Sequence, residues 1–172
     1  MATIIETERV ILRNFTLIDD EAVLEFNSNV EVQKYTGDVI IHTVQEAKAM
    51  ITDIWFSDYA KYGYGRFAVI YKPDNKVIGF AGLKFLPVMN ETDIGFRILP
   101  QYWGKGIISE IAADIIQYGF SNLGLKKIIA TVMPANVASV KVLEKSGLIY
   151  EDTRPHGSKG DLYHFYSITN QE

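Results

Sequence analysis

The side chains most able to do chemistry gather in one stretch, Asp93 to Glu110, DIGFRILPQYWGKGIISE. In it, Gln101-Tyr102-Trp103-Gly104-Lys105-Gly106 is a turn between an Ile- and Phe-rich segment and a run of helical spacing. A helix that opens at glycines offers unpaired backbone N–H groups and the positive end of its dipole. With no Cβ in the way, an anion comes close to the backbone. The stretch therefore has the chemistry of a phosphate cradle. Two familiar cradles do not fit it. A P-loop needs glycine where Leu99 stands and Ser or Thr where Gly106 stands. The dinucleotide fingerprint needs Gly or Ala where Ser109 stands. Gly63-Tyr64-Gly65 with Ala68 follows a helix and opens a strand, which is the wrong order. Spacing alone leaves a plain strand-to-helix turn equally open.

Other reactive groups are sparse. Asp93 and Glu91 are carboxylates on the strand before the cradle. His42, His156 and His164 are scattered without metal-ligand spacing, and His164, within a strand, reads as structural. The absence of cysteine excludes disulfides, thiolate catalysis and cysteine-based zinc sites. No metal is expected. A net charge of −4 argues against a general nucleic-acid grip and is compatible with a cationic amine substrate. No apolar run reaches the roughly 18 residues of a membrane span. The opening MATIIETERV lacks the basic region and apolar core of a signal peptide. The expectation is a cytoplasmic protein with no membrane partner.

The elements that must position these groups follow from periodicity. At 172 residues, 48% hydrophobic, one domain over 1–172 is expected. A first strand is predicted over 8–15. A helix capped near Asp19-Asp20 should bury Ala22, Val23 and Phe26, with a short second helix around Val30, Val32 and Tyr35. Thr43-Val44-Gln45-Glu46 is a capping box, and the helix after it carries the stripe Ala47, Met50, Ile51, Ile54, Trp55, Tyr59. Residues 66–72 and 76–86 form a hairpin about Pro73-Asp74-Asn75. Strand 92–99 leads through the turn into a helix from Ile107, which Gly124 stops. Strand 127–132 then runs parallel to 92–99. Asn136 caps the next helix, Gly147 closes it, and strands 148–154 and 161–169 follow. This order argues for one mixed sheet with helices on both faces.

The run Gln101 to Gly106, Q-x-x-G-x-G, resembles the acyl-CoA signature of the GNAT N-acetyltransferase superfamily. The longer run I-G-F-R-I-x-P-x-Y-W-G-K-G-I-x-S-E is similar to that of its RimJ/RimL-type branch, which acetylates amino groups. TERVILR, Thr7 to Arg13, resembles the branch's opening strand, and NVASVKVLEKSGL, Asn136 to Leu148, its helix after the fifth strand. The resemblance implies an α/β fold: a central mixed, mostly antiparallel sheet with helices on both faces and a splayed parallel strand pair. It implies acetyl-CoA as co-substrate, with its pantetheine arm between strands 92–99 and 127–132. The arm's amides would pair with Phe96, Arg97 and Ile98. Gln101, Trp103, Gly104, Lys105, Gly106 and Ile107 would line the cofactor, Lys105 reaching a phosphate. Asn136 and Ser139 would lie along the arm. Tyr102 and Trp103 read as packing rather than catalysis.

The implied reaction is direct attack of a primary amine on a thioester. An amine with a pKa of about 7.7–8.0 (α-amino) or about 10.4 (lysine) must first lose a proton. The oxyanion needs a donor, and a thiolate of pKa about 8.5 leaves without much help. Asp93 stands where many relatives carry a glutamate base; the shorter side chain favours a water relay, with Glu91 as rival. The family's usual acid, a tyrosine, is replaced here by Leu143. Ser139, one turn earlier, is the available hydroxyl, unless capping hydrogen bonds already satisfy it. Tyr35, Trp55, His156 and Lys159 are candidates for the acceptor mouth. A protein N-terminus, a small-molecule amine and a non-catalytic CoA sensor remain as readings. Oligomeric state is open, a homodimer included.

Overall fold

The computed structural model describes residues 1–171; Glu172, the last residue of the expected domain, lies outside the described residues. Eight strands form one sheet in the order β1-β2-β3-β4-β5-β6-β8-β7. They are β1 Thr3–Glu6, β2 Val10–Arg13, β3 Arg66–Tyr71, β4 Lys76–Leu86, β5 Glu91–Ile98, β6 Lys127–Val132, β7 Ile149–His156 and β8 Asp161–Thr169. All neighbours are antiparallel except β5 and β6. The mixed, mostly antiparallel sheet is thus as expected.

The predicted first strand over 8–15 is a correction. Only 10–13 is strand there, and residues 3–6 form a separate strand paired back on it. Thr7, Glu8 and Arg9 make the turn, closed by the Thr7 N–H on Val10 O at 2.9 Å. No glycine, proline or asparagine marks this turn in the sequence. β7 also runs two residues beyond the expected 154.

Helices cover both faces. α5, Ile107–Ser121, lies on one: Gly119 sits against the side chains of Leu83 and Ile128. The other face carries α1 Asp20–Ser28, α2 Val30–Gln33 and the helical run that starts at α3 Val44–Ala49. The Phe26 and Trp55 rings lie 6.2 and 6.0 Å from that of Phe80 in β4. The run continues as a π-helical stretch, Met50–Phe56, and α4, Ser57–Tyr62, before Gly63 ends it at φ 78°. The wider turn rotates the expected stripe. Ile51 and Trp55 stay buried, whereas Ile54 is 37% exposed. Thr43 and Glu46 form the predicted capping box. α6, Val137–Lys145, completes the chain's helices among the described residues.

What aims the cradle is the packing of α5. Ile107, Ile111 and Ile115 are fully buried, each contributing on the order of 1.5–3 kcal/mol. What places β5 is close contact with β4 at Gly79, opposite Ile98. A Cβ at Gly79 would stand 2.0 Å from Arg97 O and 2.7 Å from Ile98 Cα. Backbone cannot step aside as a side-chain tip can. Gly79→Ala is therefore expected to cost about 1–3 kcal/mol and lower Tm by about 3–10 °C. Gly119→Ala is the comparison, since its Cβ meets only Cδ1 tips and gains about 1 kcal/mol of helix propensity. Calorimetric melting of the two variants should separate them; equal losses would show that Gly79 does not set the β4–β5 spacing.

Candidate active site

The cradle is held at both ends. Tyr102 is buried and its hydroxyl donates to Asp74 Oδ2 at 2.7 Å; the Trp103 indole N–H donates to Ile98 O at 2.8 Å. Between these anchors and α5, Gly104-Lys105-Gly106 stands exposed, with both glycines at φ 71°. That left-handed conformation is what requires glycine here. The first N–H of α5 to meet a carbonyl is that of Glu110, on Gly106 O at 3.0 Å. From Gly104 to Ser109 no backbone N–H has a protein acceptor among the described residues. Consecutive free N–H groups at a helix N-terminus form an anion nest. Gln101 and Lys105 lie exposed beside it, Lys105 Nζ 5.3 Å from the Tyr102 ring centre. Ile107 buries its side chain, so only its N–H can serve a ligand.

Behind the nest is a brace that sequence reasoning missed. Arg9 donates through Nη1 to Lys105 O at 2.9 Å and through Nε to Glu110 Oε2 at 2.7 Å. The Arg9 N–H and the Thr7 hydroxyl both donate to Glu110 Oε1, at 3.1 and 2.5 Å. Burial alone would raise the Glu110 carboxyl; the hydrogen bonds from Thr7 and Arg9 outweigh it and hold the group below the usual carboxylate range.

The second part of the site is the gap between β5 and β6. The two strands meet at a single register pair, Asp93 with Ile129. Beyond it they separate around a cavity of about 250 Å³. Its floor is Arg66, Phe80, Asp93 and Arg97; α6 supplies Ser139 and Leu143, preceded by Asn136; Tyr35, Thr36, Asp38 and Tyr163 form the rim. The structure thus brings together Asp93, Phe96, Arg97, Asn136 and Ser139 around one cavity. Gln101, Trp103, Gly104, Lys105, Gly106, Ile107 and Ile98 lie outside this cavity, Ile98 with its carbonyl taken by Trp103.

Asp93 is not a free carboxylate. Arg66 Nη2 donates to both its oxygens, at 2.9 and 3.1 Å, and both side chains are largely buried. Arg66 reaches across because Gly95 carries no side chain: a Cβ there would stand 2.4 Å from Nη2. Each carboxylate oxygen keeps a further lone pair for another donor. Two guanidiniums lie near the Phe80 ring, that of Arg66 at 5.7 Å and that of Arg97 at 4.6 Å from its centre. Burial pushes the Arg97 guanidinium below the usual arginine range, and Asp38 opposes part of that. Burial also pushes the Tyr163 phenol up, helped by Asp161 and Asp38.

Ser139 donates its main-chain N–H to Asn136 Oδ1 at 3.3 Å. Its hydroxyl makes no hydrogen bond to protein among the described residues, so capping does not consume it. Leu143 is buried in the same wall.

Several expected mouth residues lie elsewhere. Trp55 stacks on Phe15 at 4.0 Å in the core, on the buried face it shares with Ala47 and Ile51. His156 ends β7 with its ring 5.3 Å from Tyr163 and 5.5 Å from Phe165, and Lys159 stands in the exposed turn beyond; neither lines the cavity. Glu91 pairs with Lys127 at 3.4 Å, away from the cavity. His164 is bonded to the Thr153 hydroxyl at 2.6 Å, as a structural histidine would be. His42 is exposed and gives its N–H to Glu46. Of the mouth candidates, Tyr35 is at the rim. Arg66 was missed, although a lone arginine opening the apolar strand RFAVIY is a signal. Among the described residues no acidic or histidine cluster could hold a metal, and no helix is long and apolar enough to cross a membrane.

The brace makes a pH-dependent prediction. Glu110 has a lowered carboxyl in the folded chain, so its contribution is complete above the unfolded value of about 4.3 and fades as pH falls through the folded value. Glu110→Gln should lower Tm at pH 7 by about 2–4 °C. The difference from wild type should close between about pH 5 and pH 3. A difference as large at pH 3 as at pH 7 would mean that the carboxylate charge contributes nothing.

Comparison with known proteins agrees with this geometry. The family model for the acetyltransferase (GNAT) domain matches residues 9–149. The uncharacterized N-acetyltransferase p20 of Bacillus licheniformis is 34% identical over 166 residues, 92% of each chain. A GNAT-family acetyltransferase structure from Bacillus anthracis superposes with a TM-score of 0.82 at 30% identity, over 98% of this chain and 99% of its own. RimL, a ribosomal L7/L12 alpha-N-protein acetyltransferase solved with coenzyme A, shares the fold at a TM-score of 0.84 and 14% identity, over 98% of both chains. Matched over most of its length by the family and along nearly all of it by these relatives, the chain belongs to the GNAT acetyltransferases and is an N-acetyltransferase of that fold.

Proposed function

We propose that this protein is cytoplasmic and moves the acetyl group of acetyl-CoA directly onto a primary amine, with a protein N-terminal amine as acceptor class. The observation that carries the reading is the gap between β5 and β6, which opens onto Asp93 and the free Ser139 hydroxyl. In this reading the N–H groups from Gly104 to Ser109 take the pyrophosphate, with Lys105 beside them. The unpaired edge of β5 at Phe96 and Arg97, together with Asn136, orients the pantetheine arm. Bound acetyl-CoA supplies the activated acyl group. The amine nitrogen bonds to the carbonyl carbon, the C–S bond breaks, and the amine proton passes to Asp93 through water. Ser139 gives its hydroxyl proton to the departing thiolate and takes one back from water, so that CoA leaves as the thiol and the serine is restored. Arg66 keeps Asp93 oriented and engaged, which favours relay over direct contact.

Charge balance supports a singly charged acceptor. Both carboxylates that line the cavity, Asp93 and Asp38, are paired with arginines, so no surplus negative charge faces a polyamine. A second reading, as a CoA-binding sensor, is favoured by the engagement of Asp93 with Arg66, and by Leu143 standing where the resemblance implies an acid tyrosine. Thiol release from acetyl-CoA decides between them, with short peptides bearing N-terminal Ser or Ala, free amino acids and spermidine as acceptors. Peptide acetylation confirmed by mass is expected; cofactor binding without turnover would establish the sensor.

Two substitutions test the roles. Ser139→Ala should lower kcat by roughly 10–100-fold with little change in the KM for acetyl-CoA. An unchanged kcat would mean that the thiolate leaves unassisted. Asp93→Asn should slow turnover at pH 7, and the loss should shrink as pH rises and free amine becomes abundant. Structural damage from the unpaired Arg66 would instead give a loss independent of pH. A wild-type rate at pH 7 would remove Asp93 from the mechanism.

A further inference from the structure

We infer that Arg97 is a positioning residue for the acceptor: from the strand that offers its edge to the cofactor, its side chain fixes the loop over residues 34–42 that forms the rim of the cavity. The inference rests on the acetyl-transfer reading for its link to the acceptor, and on geometry alone for its effect on the loop.

Arg97 points away from α5, toward α1 and α2. Nη1 donates to Asn27 Oδ1 at 3.0 Å and to Gln33 Oε1 at 3.1 Å; Nη2 donates to Asp38 Oδ2 at 2.5 Å. One planar fork thus joins the end of α1, the end of α2 and the loop, a geometry that lysine's single point charge cannot copy. Gln33 extends the network: its Nε2 donates to Asn27 O at 3.0 Å and Asn27 Oδ1 at 3.1 Å. The Thr36 hydroxyl donates to Gln33 Oε1 at 2.7 Å and accepts the Asp38 N–H at 3.1 Å. The bonds therefore run without a break from β5 to the main chain of residue 38.

Buried Ile41 anchors the far end of the loop, and the stretch between Thr36 and Ile41 has little else to order it. From Gly37 to Ile41 no main-chain N–H bonds to another main-chain carbonyl among the described residues. Val39 is 84% exposed, so the loop's tip has no core of its own. Yet Tyr35, Thr36 and Asp38 all line the cavity, and a Cβ at Gly37 would stand 3.2 Å from the Tyr163 hydroxyl, the opposite side of the rim. Whatever places this loop shapes the acceptor entrance. By contrast, the cradle is braced by Arg9 and Glu110, which share no hydrogen bond with this network.

The test uses Arg97→Met, which keeps bulk against Phe80, Arg97→Lys, and Gln33→Leu, which lies outside the cavity. Hydrogen exchange should rise by roughly tenfold or more at the hydrogen-bonded amides of the loop, Thr36 and Asp38, in Arg97→Met and Gln33→Leu, the scale of one lost charged hydrogen bond, and stay unchanged over 104–110. In Gln33→Leu, with the best peptide of the acceptor panel, KM for the peptide should rise by a similar factor, about tenfold, while KM for acetyl-CoA stays within about twofold. Arg97→Lys should recover part of the exchange protection. Unchanged exchange at Thr36 and Asp38, or equal rises in both KM values, would overturn the inference. If Arg97→Met does not fold, Gln33→Leu decides by the same two readouts. If wild type acetylates no panel amine, the acetyl-transfer reading fails by itself, and hydrogen exchange still decides what Arg97 does to the loop.

Discussion

A strand in the middle of a sheet normally spends both edges on its neighbours, and β5 spends one. It pairs with β4 from Glu91 to Ile98 but with β6 at a single position. β6 is fully occupied on its far side by β8, from Lys127 to Val132. The backbone groups left in the gap need partners, and each one buried without them would cost about 1–3 kcal/mol. The fold tolerates this because the separation is set elsewhere. Gly79 lets β4 hold β5 closely, and the buried isoleucines of α5 lock the crossover beneath both strands. The gap is thus preorganised for an extended chain with amides of its own. Free N–H groups of the cradle at the head of the same helix offer the matching site for phosphate.

The floor of the gap is built around one aromatic ring. Phe80 lies against two guanidiniums, and each guanidinium holds a carboxylate that lines the cavity. Arginine suits this place because it is weakly hydrated, planar and able to stack while donating along its edge. Burying such pairs rarely adds stability over a well-packed apolar core. Their value here is geometric: Arg66 fixes the direction of Asp93, and Arg97 fixes the loop carrying Asp38.

How legible this was depended on the range of the interactions. The cradle was visible because a left-handed glycine turn before a helix is a local matter, written in Gly104 and Gly106. The capping box at Thr43 and Glu46 was local too, and appears as read. The turn at Thr7 to Arg9 was not visible, because no residue in it demands a turn by itself. Arg66, Gly95 and Asp93 lie on different strands or two residues apart, and only strand register brings the guanidinium over the glycine. Ile54 was misplaced because a π-helical turn rotates the stripe, and helical periodicity assumes a regular helix. Ser139 could be placed, but whether capping consumed its hydroxyl required the structure.

The same distinction explains why the proposed cofactor end has a local sequence signal and the proposed acceptor end has none. The cradle's N–H groups come from consecutive residues, and any chain that binds the same phosphate can reuse the same short motif. The acceptor rim is assembled from the loop after α2, a residue of β8 and a strap of hydrogen bonds from β5. None of these is adjacent in sequence. The strap and the brace behind the cradle share no hydrogen bond and start from different strands, β5 and the β1–β2 turn. Each end can therefore change without disturbing the other. Changes in the loop between Lys34 and His42 would alter what enters the rim while leaving the nest at Gly104 intact, as long as an arginine at 97 still holds the loop in place. In the proposed reading, specificity would thus be set by a few long-range polar contacts laid over a fixed cofactor frame.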